Sequence, residues 1–209
     1  GSIVIDGSDS DSAWSSSPRF DFSFAEAYGE SGGTDSVSGY VRLAYDDSNF
    51  YMFYKSNDKY VWVDGAGGEW TEDGIEVFFD MNFNRQNDTI PDADDFHLIF
   101  TASPAYFWKG RGDGPGGVTW DTSWNPAISS AIVVDGTLNN NADTDTSWSL
   151  EWKIPFSDLG IVSINPGQSI GFTFWINEDD TVGHAAQHWY VYTPGTASTN
   201  TSTWGIAQF

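Results

Sequence analysis

The sequence predicts an all-β protein, a single two-sheet antiparallel β-sandwich of the immunoglobulin or jelly-roll kind, on three observations. Helical periodicity is missing: no stretch of about eleven residues places apolar side chains at i, i+3, i+4 and i+7 between a cap and a stop. Short runs rich in aromatic and β-branched residues recur along the whole chain, bounded by Gly, Asn, Asp and Pro. The 209 residues suffice for one such unit to bury its own core and do not call for two.

In chain order, the runs expected as strands are YVRLAY (40–45), NFYMFYKS (49–56), YVWV (60–63), GIEVFFDM (74–81) and DFHLIFT (95–101). Then come SAIVV (130–134), SWSLEWKI (147–154), SIGFTFWIN (169–177), QHWYVY (187–192) and WGIAQF (204–209). The polar stretches 6–18, 82–95, 110–126 and 137–147 lie between strands that need partners on both sides, so they read as loops within one domain spanning 1–209. Gly1 and Ser2 read as a cloning remnant, and a signal peptide is expected to precede the natural sequence.

Side chains alternate across a strand, so each run splits into two faces. In 169–177, Ile170, Phe172, Phe174 and Ile176 take the core side and leave Thr173, Trp175 and Asn177 on the other. In 95–101, Phe96, Leu98 and Phe100 are core and His97 points away. In 74–81, Ile75, Val77 and Phe79 are core, and Glu76, Phe78 and Asp80 share the opposite side. If these three strands are neighbours, they build a face of rings, an amide, a carboxylate and an imidazole. A sugar needs that mixture, since its C–H patches stack on aromatic rings and its hydroxyls need paired donors and acceptors. Trp148, Trp152 and Trp62 are expected in the core, and Trp14 at the edge of the sandwich.

Charge narrows the partners. Eight Lys and Arg against 30 Asp and Glu give a formal net charge of -22, which repels nucleic acid and anionic membrane surfaces. Neutral glycans such as β-glucans, xylans or mannans, or cations, remain. Lys109 and Arg111 beside Trp108 offer a local basic rim. There is no cysteine, so neither a disulfide framework nor a thiolate metal site is available.

The segments IDGSDSDSAW, LAYDDSNFYMFYKSND, W-x5-E-V-F-F-D at 70–80, LEWKIPFSDLG at 150–160 and PGQSIGFTFWINEDD at 166–180 resemble, in sequence and order, carbohydrate-binding module family 9, a sandwich related to DOMON domains. The resemblance implies a non-catalytic, monomeric module of a secreted polysaccharide-degrading enzyme, extracellular, that grips a glycan end between two tryptophans and supports its loops with calcium. It makes Trp70 the first of those tryptophans, Glu76 the carboxylate that accepts sugar hydroxyls and Asn177 a further hydrogen-bonding residue. The family's second ring falls just past the strand, where this chain has EDDTVG. Trp175, Trp189 and Trp108 are the candidates to replace it, and His97 joins the site through its place beside Glu76.

Calcium takes six to eight oxygen ligands, and DMNFNRQNDTIPDADD supplies them densely: Asp80, Asn82, Asn84, Asp92 and Asp94 are the candidate ligands. It is no EF-hand loop, because Arg85 stands where Gly is needed and Pro91 where Glu is needed. Two other readings compete. A glycoside-active enzyme could use carboxylate pairs such as Glu76 with Asp80 or Glu178 with Asp179, although no nucleophile or metalloprotease motif supports catalysis. A DOMON-like haem module could draw ligands from Met52, Met81, His97, His184 and His188.

Overall fold

Alternating apolar side chains need a second layer to cover them, and two antiparallel sheets supply it in a computed structural model. Residues 1–24, 37–85, 91–114, 119–180, 187–191 and 199–209 are described here, with only the backbone for 24 and 187–191. The first sheet joins β1 (Arg19–Phe24), β2 (Val37–Tyr45), β3 (Asn49–Asn57), β8 (Ser129–Asp135) and β9 (Ser147–Pro155) in the order β1-β2-β3-β9-β8. The second contains β4 (Gly74–Asp80), β5 (Asp95–Thr101), β6 (Phe107–Gly112), β7 (Trp120–Asp121), β10 (Ser169–Glu178), β11 (Gln187–Val191) and β12 (Gly205–Gln208). Its order is β11-β10-β4-β5-β6-β7, and β12 pairs with the first half of β10.

The core lies between the sheets and follows the predicted alternation. Ile75, Val77, Phe79, Phe96, Leu98, Phe100, Ile170, Phe172, Phe174 and Ile176 all belong to it. They meet Phe50, Met52, Tyr54, Trp148 and Trp152 from the other sheet. Phe100 stacks on Trp152 with ring centroids 4.9 Å apart, and Phe50 meets Phe79 edge to face at 5.3 Å.

Four local expectations change. Residues 60–63 are not a strand, because side chains take the place of a neighbouring strand along them. The N–H groups of Val61, Trp62 and Val63 donate to Asp145, Asp73 and Asn139 at 2.8, 2.6 and 2.6 Å. Trp62 is buried but stands outside the main core cluster. Strand β1 comes from RFDFSF, whose period-two phenylalanines were legible but lie beside a long polar stretch. Strand β6 takes its last residues from the segment expected to be a loop. Trp14, in a one-turn helix (Ser12–Ser15), covers the outer face of the first sheet rather than its edge. There it packs with Tyr51 and Phe53, while its indole N–H donates to the buried Glu151 at 2.8 Å. The other Glu151 oxygen accepts from the backbone of Asp6 and Gly7, so one carboxylate ties the N-terminal segment at three points, while Arg42, Tyr40 and Ser149 donate to the Trp14 carbonyl, Asp9 and the Gly7 carbonyl.

Candidate functional site

The register makes β10, β4, β5 and β6 neighbours and aligns Trp175, Glu76, Ile99 and Trp108 across them. Directly opposed residues of antiparallel strands share a face, so these four form one row on the outer side of the second sheet. The next row is Thr173, Phe78, His97 and Gly110. The face expected from alternation therefore exists, and its polar centre is a buried triad. Glu76 Oε1 accepts from Asn177 Nδ2 at 3.0 Å, and Glu76 Oε2 lies 2.8 Å from His97 Nε2.

Rings surround the triad. His97 stacks on Phe78 at 4.0 Å and is flanked by Trp108 at 4.8 Å and Trp120 at 5.4 Å. Its Nδ1 is buried with no hydrogen-bond partner among the described residues. Trp175 is on the expected face but packs against Phe78 and clusters with Trp204, leaving only 6% of its surface exposed. It is a packing ring, not a presented one. Trp108 is half-buried on the same face, and Trp120, which sequence reasoning missed, stands next to it. Trp189 pairs through its backbone with Ile176, and its side chain lies outside the described residues. Lys109 and Arg111 alternate away from Trp108 and bond to Asn125 Oδ1 and the Ala93 carbonyl, so they build no basic rim there.

Trp70 is presented differently. It sits in a 3-10 turn (Glu69–Thr71) packed against β4, β5 and β10, and it is 47% exposed. A Cβ built on Gly68 would lie 2.8, 3.0 and 3.0 Å from three adjacent atoms of its six-membered ring. Near-equal distances of that size put Gly68 over the ring face rather than against its edge. Gly68 also has φ 112° and ψ 164°, a region in which essentially only glycine is at ease. The turn therefore seats one face of the indole on bare backbone.

Two buried carboxylates hold that turn. Glu72 accepts from the N–H groups of Asp64 and Gly65, and Asp73 from those of Trp62 and Asp179. Burial, then the neighbouring charges of Asp58 and Glu178, pushes Asp73 well above the usual carboxylate range. Asp58, Glu178 and Asp180 bring carboxylate oxygens within 4.8 Å of one another at this end of the sandwich. Sequence reasoning missed Glu72 and Asp73, because acids before a strand ordinarily read as a solvated turn.

At the other end of β4, Asp80, Asp94 and Asp95 place oxygens within 4.8 Å of one another. Two of the five expected calcium ligands thus come together, joined by Asp95, which pairs with Asp80 across the sheet. Of the rest, Asn84 donates to Asp92 at 2.8 Å, and the Asn82 side chain accepts from the Asn84 N–H at 2.7 Å. Burial raises Asp95 to about 8 and Asp94 to about 7. Asp95 Oδ1 is buried with no hydrogen-bond partner among the described residues. An all-oxygen set short of positive charge fits a hard divalent cation.

The haem reading meets a geometric obstacle. Met52 and Met81 are in the core between the sheets, whereas His97 lies on the outer face of the second sheet. No iron can take His97 with either methionine through an intervening sheet. The side chains of His184 and His188 lie outside the described residues.

A sandwich whose outer sheet face carries a carboxylate-amide-imidazole triad, with one indole held out on the turn that leads into β4, has the features of a sugar-binding module. The family described as carbohydrate family 9 binding domain-like matches residues 5–209, and the chain belongs to it. It is a non-catalytic carbohydrate-binding module. The fold is similar to that of a family 9 carbohydrate-binding module from Caldicellulosiruptor kristjanssonii in complex with cellotriose. The two share 22% identity and a TM-score of 0.68 over 100% of this chain and 89% of that one. The structure titled as a complex of such a module from that organism with glucose gives 21% identity and a TM-score of 0.67 over 100% and 91%. No curated protein matches the chain significantly.

Proposed function

We propose that this module binds a neutral polysaccharide, or the end of one, with Trp70 as the stacking ring and Glu76, only 3% exposed, accepting at the base of the site the hydroxyl of a sugar unit that reaches into this face. Asn177 and His97 hold Glu76 from either side, and Trp108 is the second ring of the site. The observation that carries this reading is the indole of Trp70, seated on Gly68 and still 47% exposed while most of the large aromatics among the described residues are buried. The net charge of -22 favours uncharged glycans, and the relatives in complex with cellotriose and glucose support a β-glucan among them.

Calcium, held by Asp80, Asp94 and Asp95, ties the end of β4 to the start of β5 and offsets the mutual repulsion of the three carboxylates. In its parent protein the module works outside the cell, as a monomeric unit tethered to a polysaccharide-degrading catalytic domain, and brings that domain to its substrate. Isothermal titration against cello-, xylo- and manno-oligosaccharides, in calcium and again after EDTA, tests the reading. Binding to at least one of them, weakened by EDTA, is expected. A folded protein that gives no heat with any of them contradicts it.

A further inference from the structure

Arg85 stands where the acidic loop leaves β4, and it joins two parts of the chain that are far apart in sequence. On one side its backbone N–H donates to Asp80 Oδ2 at 3.0 Å, while the Asn84 N–H reaches Oδ1 at 3.3 Å. On the other, its guanidinium Nη2 donates to the carbonyls of Ser202 and Trp204 at 2.6 and 3.1 Å, 117 and 119 residues further along. Neither contact belongs to the glycan or cation groups described above.

What Arg85 holds bears on the sugar face. Ser202 and Trp204 lie in and just after a 3-10 turn (Thr201–Thr203). The turn's own bonds are local: Asn200 Oδ1 accepts from the Ser202 N–H and hydroxyl, and the Trp204 N–H returns to the Thr201 carbonyl. Trp204 is buried against Phe78 with ring centroids 5.5 Å apart, and Phe78 stacks on His97 at 4.0 Å. His97 in turn lies 2.8 Å from Glu76. Close-packed rings pass displacement on, so a Trp204 that shifts lets Phe78 and His97 shift under the carboxylate.

What holds Arg85 is the loop itself. Phe83 and Arg85 have φ of 57° and 49°, in the left-handed region that residues with a Cβ occupy only where their surroundings compel it. Asp80 does so here, through the N–H groups of Asn84 and Arg85. Asp80 is also one of three carboxylates with oxygens within 4.8 Å of one another, and their repulsion works to turn it away. A carboxylate oxygen can accept an N–H and still coordinate a divalent cation, which cancels that repulsion and keeps Asp80 on the loop. On the reading of the outer face as the glycan site, we propose that Arg85 is its positioning residue, coupling the acidic cluster at Asp80 to the rings beneath Glu76 so that a divalent cation and a glycan bind cooperatively.

The test is isothermal titration of cellotriose, xylotriose and mannotriose, in calcium and in EDTA, on wild type, Arg85→Ala and Arg85→Lys, each checked for its fold by circular dichroism. With at least one trisaccharide, wild type is expected to bind about fivefold or more tightly in calcium. Coupling is reciprocal, so calcium should bind tighter by the same factor when that sugar is present. Arg85→Ala should bind each ligand with the ratio near one, and Arg85→Lys, whose ammonium can also donate to two carbonyls, should recover most of it. A role confined to folding would lower both affinities and leave the ratio alone. Calcium by itself should move the amide resonances of 202–204 in ¹⁵N-labelled wild type and leave them in place in Arg85→Ala. A wild-type ratio near one, or an unchanged ratio in a folded Arg85→Ala, overturns the proposal, as do wild-type 202–204 amides that ignore calcium. A wild type whose 202–204 amides answer calcium, but which binds none of the sugars, refutes the glycan reading of the face and leaves the tie from Asp80 to Trp204 standing.

Discussion

Replacing Gly68 with alanine tests whether the seat beneath Trp70, and not only the ring, makes the site. The backbone at Gly68, φ 112° and ψ 164°, costs about 1–3 kcal/mol for a residue with a Cβ. That methyl would also meet three ring atoms at 2.8–3.0 Å, closer than real Cβ contacts come, so the half-exposed indole has to swing away. Two losses are expected together. Urea unfolding should report about 1–3 kcal/mol less stability, and titration calorimetry with cellotriose should report an affinity about tenfold lower, since one stacked ring is worth roughly that factor. A double-mutant cycle separates the causes: in a Trp70→Ala background, Gly68→Ala should cost stability but little further affinity. A Gly68→Ala protein that loses stability yet binds cellotriose as wild type does would refute the seating argument.

Two further outcomes concern stability. Asp94 and Asp95 have folded-state values raised by burial to about 7 and about 8, against roughly 3.9 unfolded. Between those values the folded state holds more protons, so the metal-free protein should lose stability as pH rises from about 4 through 8. Calcium should flatten that slope, and parallel slopes by urea unfolding with and without it would remove the site. Glu151→Ala orphans the Trp14 indole N–H and the N–H groups of Asp6 and Gly7, and should cost about 3 kcal/mol or more in urea unfolding. A loss under 1 kcal/mol would show that Arg42, Tyr40 and Ser149 suffice to hold the N-terminal segment without Glu151.

Much of the fold was legible because alternation is a local signal. Ile170, Phe172 and Phe174 announce a core face without reference to any other strand, and the same arithmetic placed Glu76, His97 and Asn177 together on the outer one. Exposure was not legible, because it depends on what lies across the sheet. Trp175 reads as a ring on a polar strand face and Trp70 enters through the family resemblance, yet Phe78 and Trp204 cover the first, while a 3-10 turn holds the second out. Residues 60–63 deceived for the same reason. Their composition is that of a strand, and only the fold reveals that Asp145, Asp73 and Asn139 supply the acceptors a strand would have. The acidic cluster proposed for calcium was half legible: density along the chain suggested the loop, but Asp95 enters through its pairing with Asp80.

The most direct measurement is titration calorimetry of cellotriose into wild type and Trp70→Ala, side by side in calcium, with circular dichroism to verify the fold of both. Saturable binding to wild type that falls about tenfold or more in the variant is the expected result. Equal affinities in two folded proteins would take Trp70 out of the site, and with it the reading of this face as the place where the glycan is held.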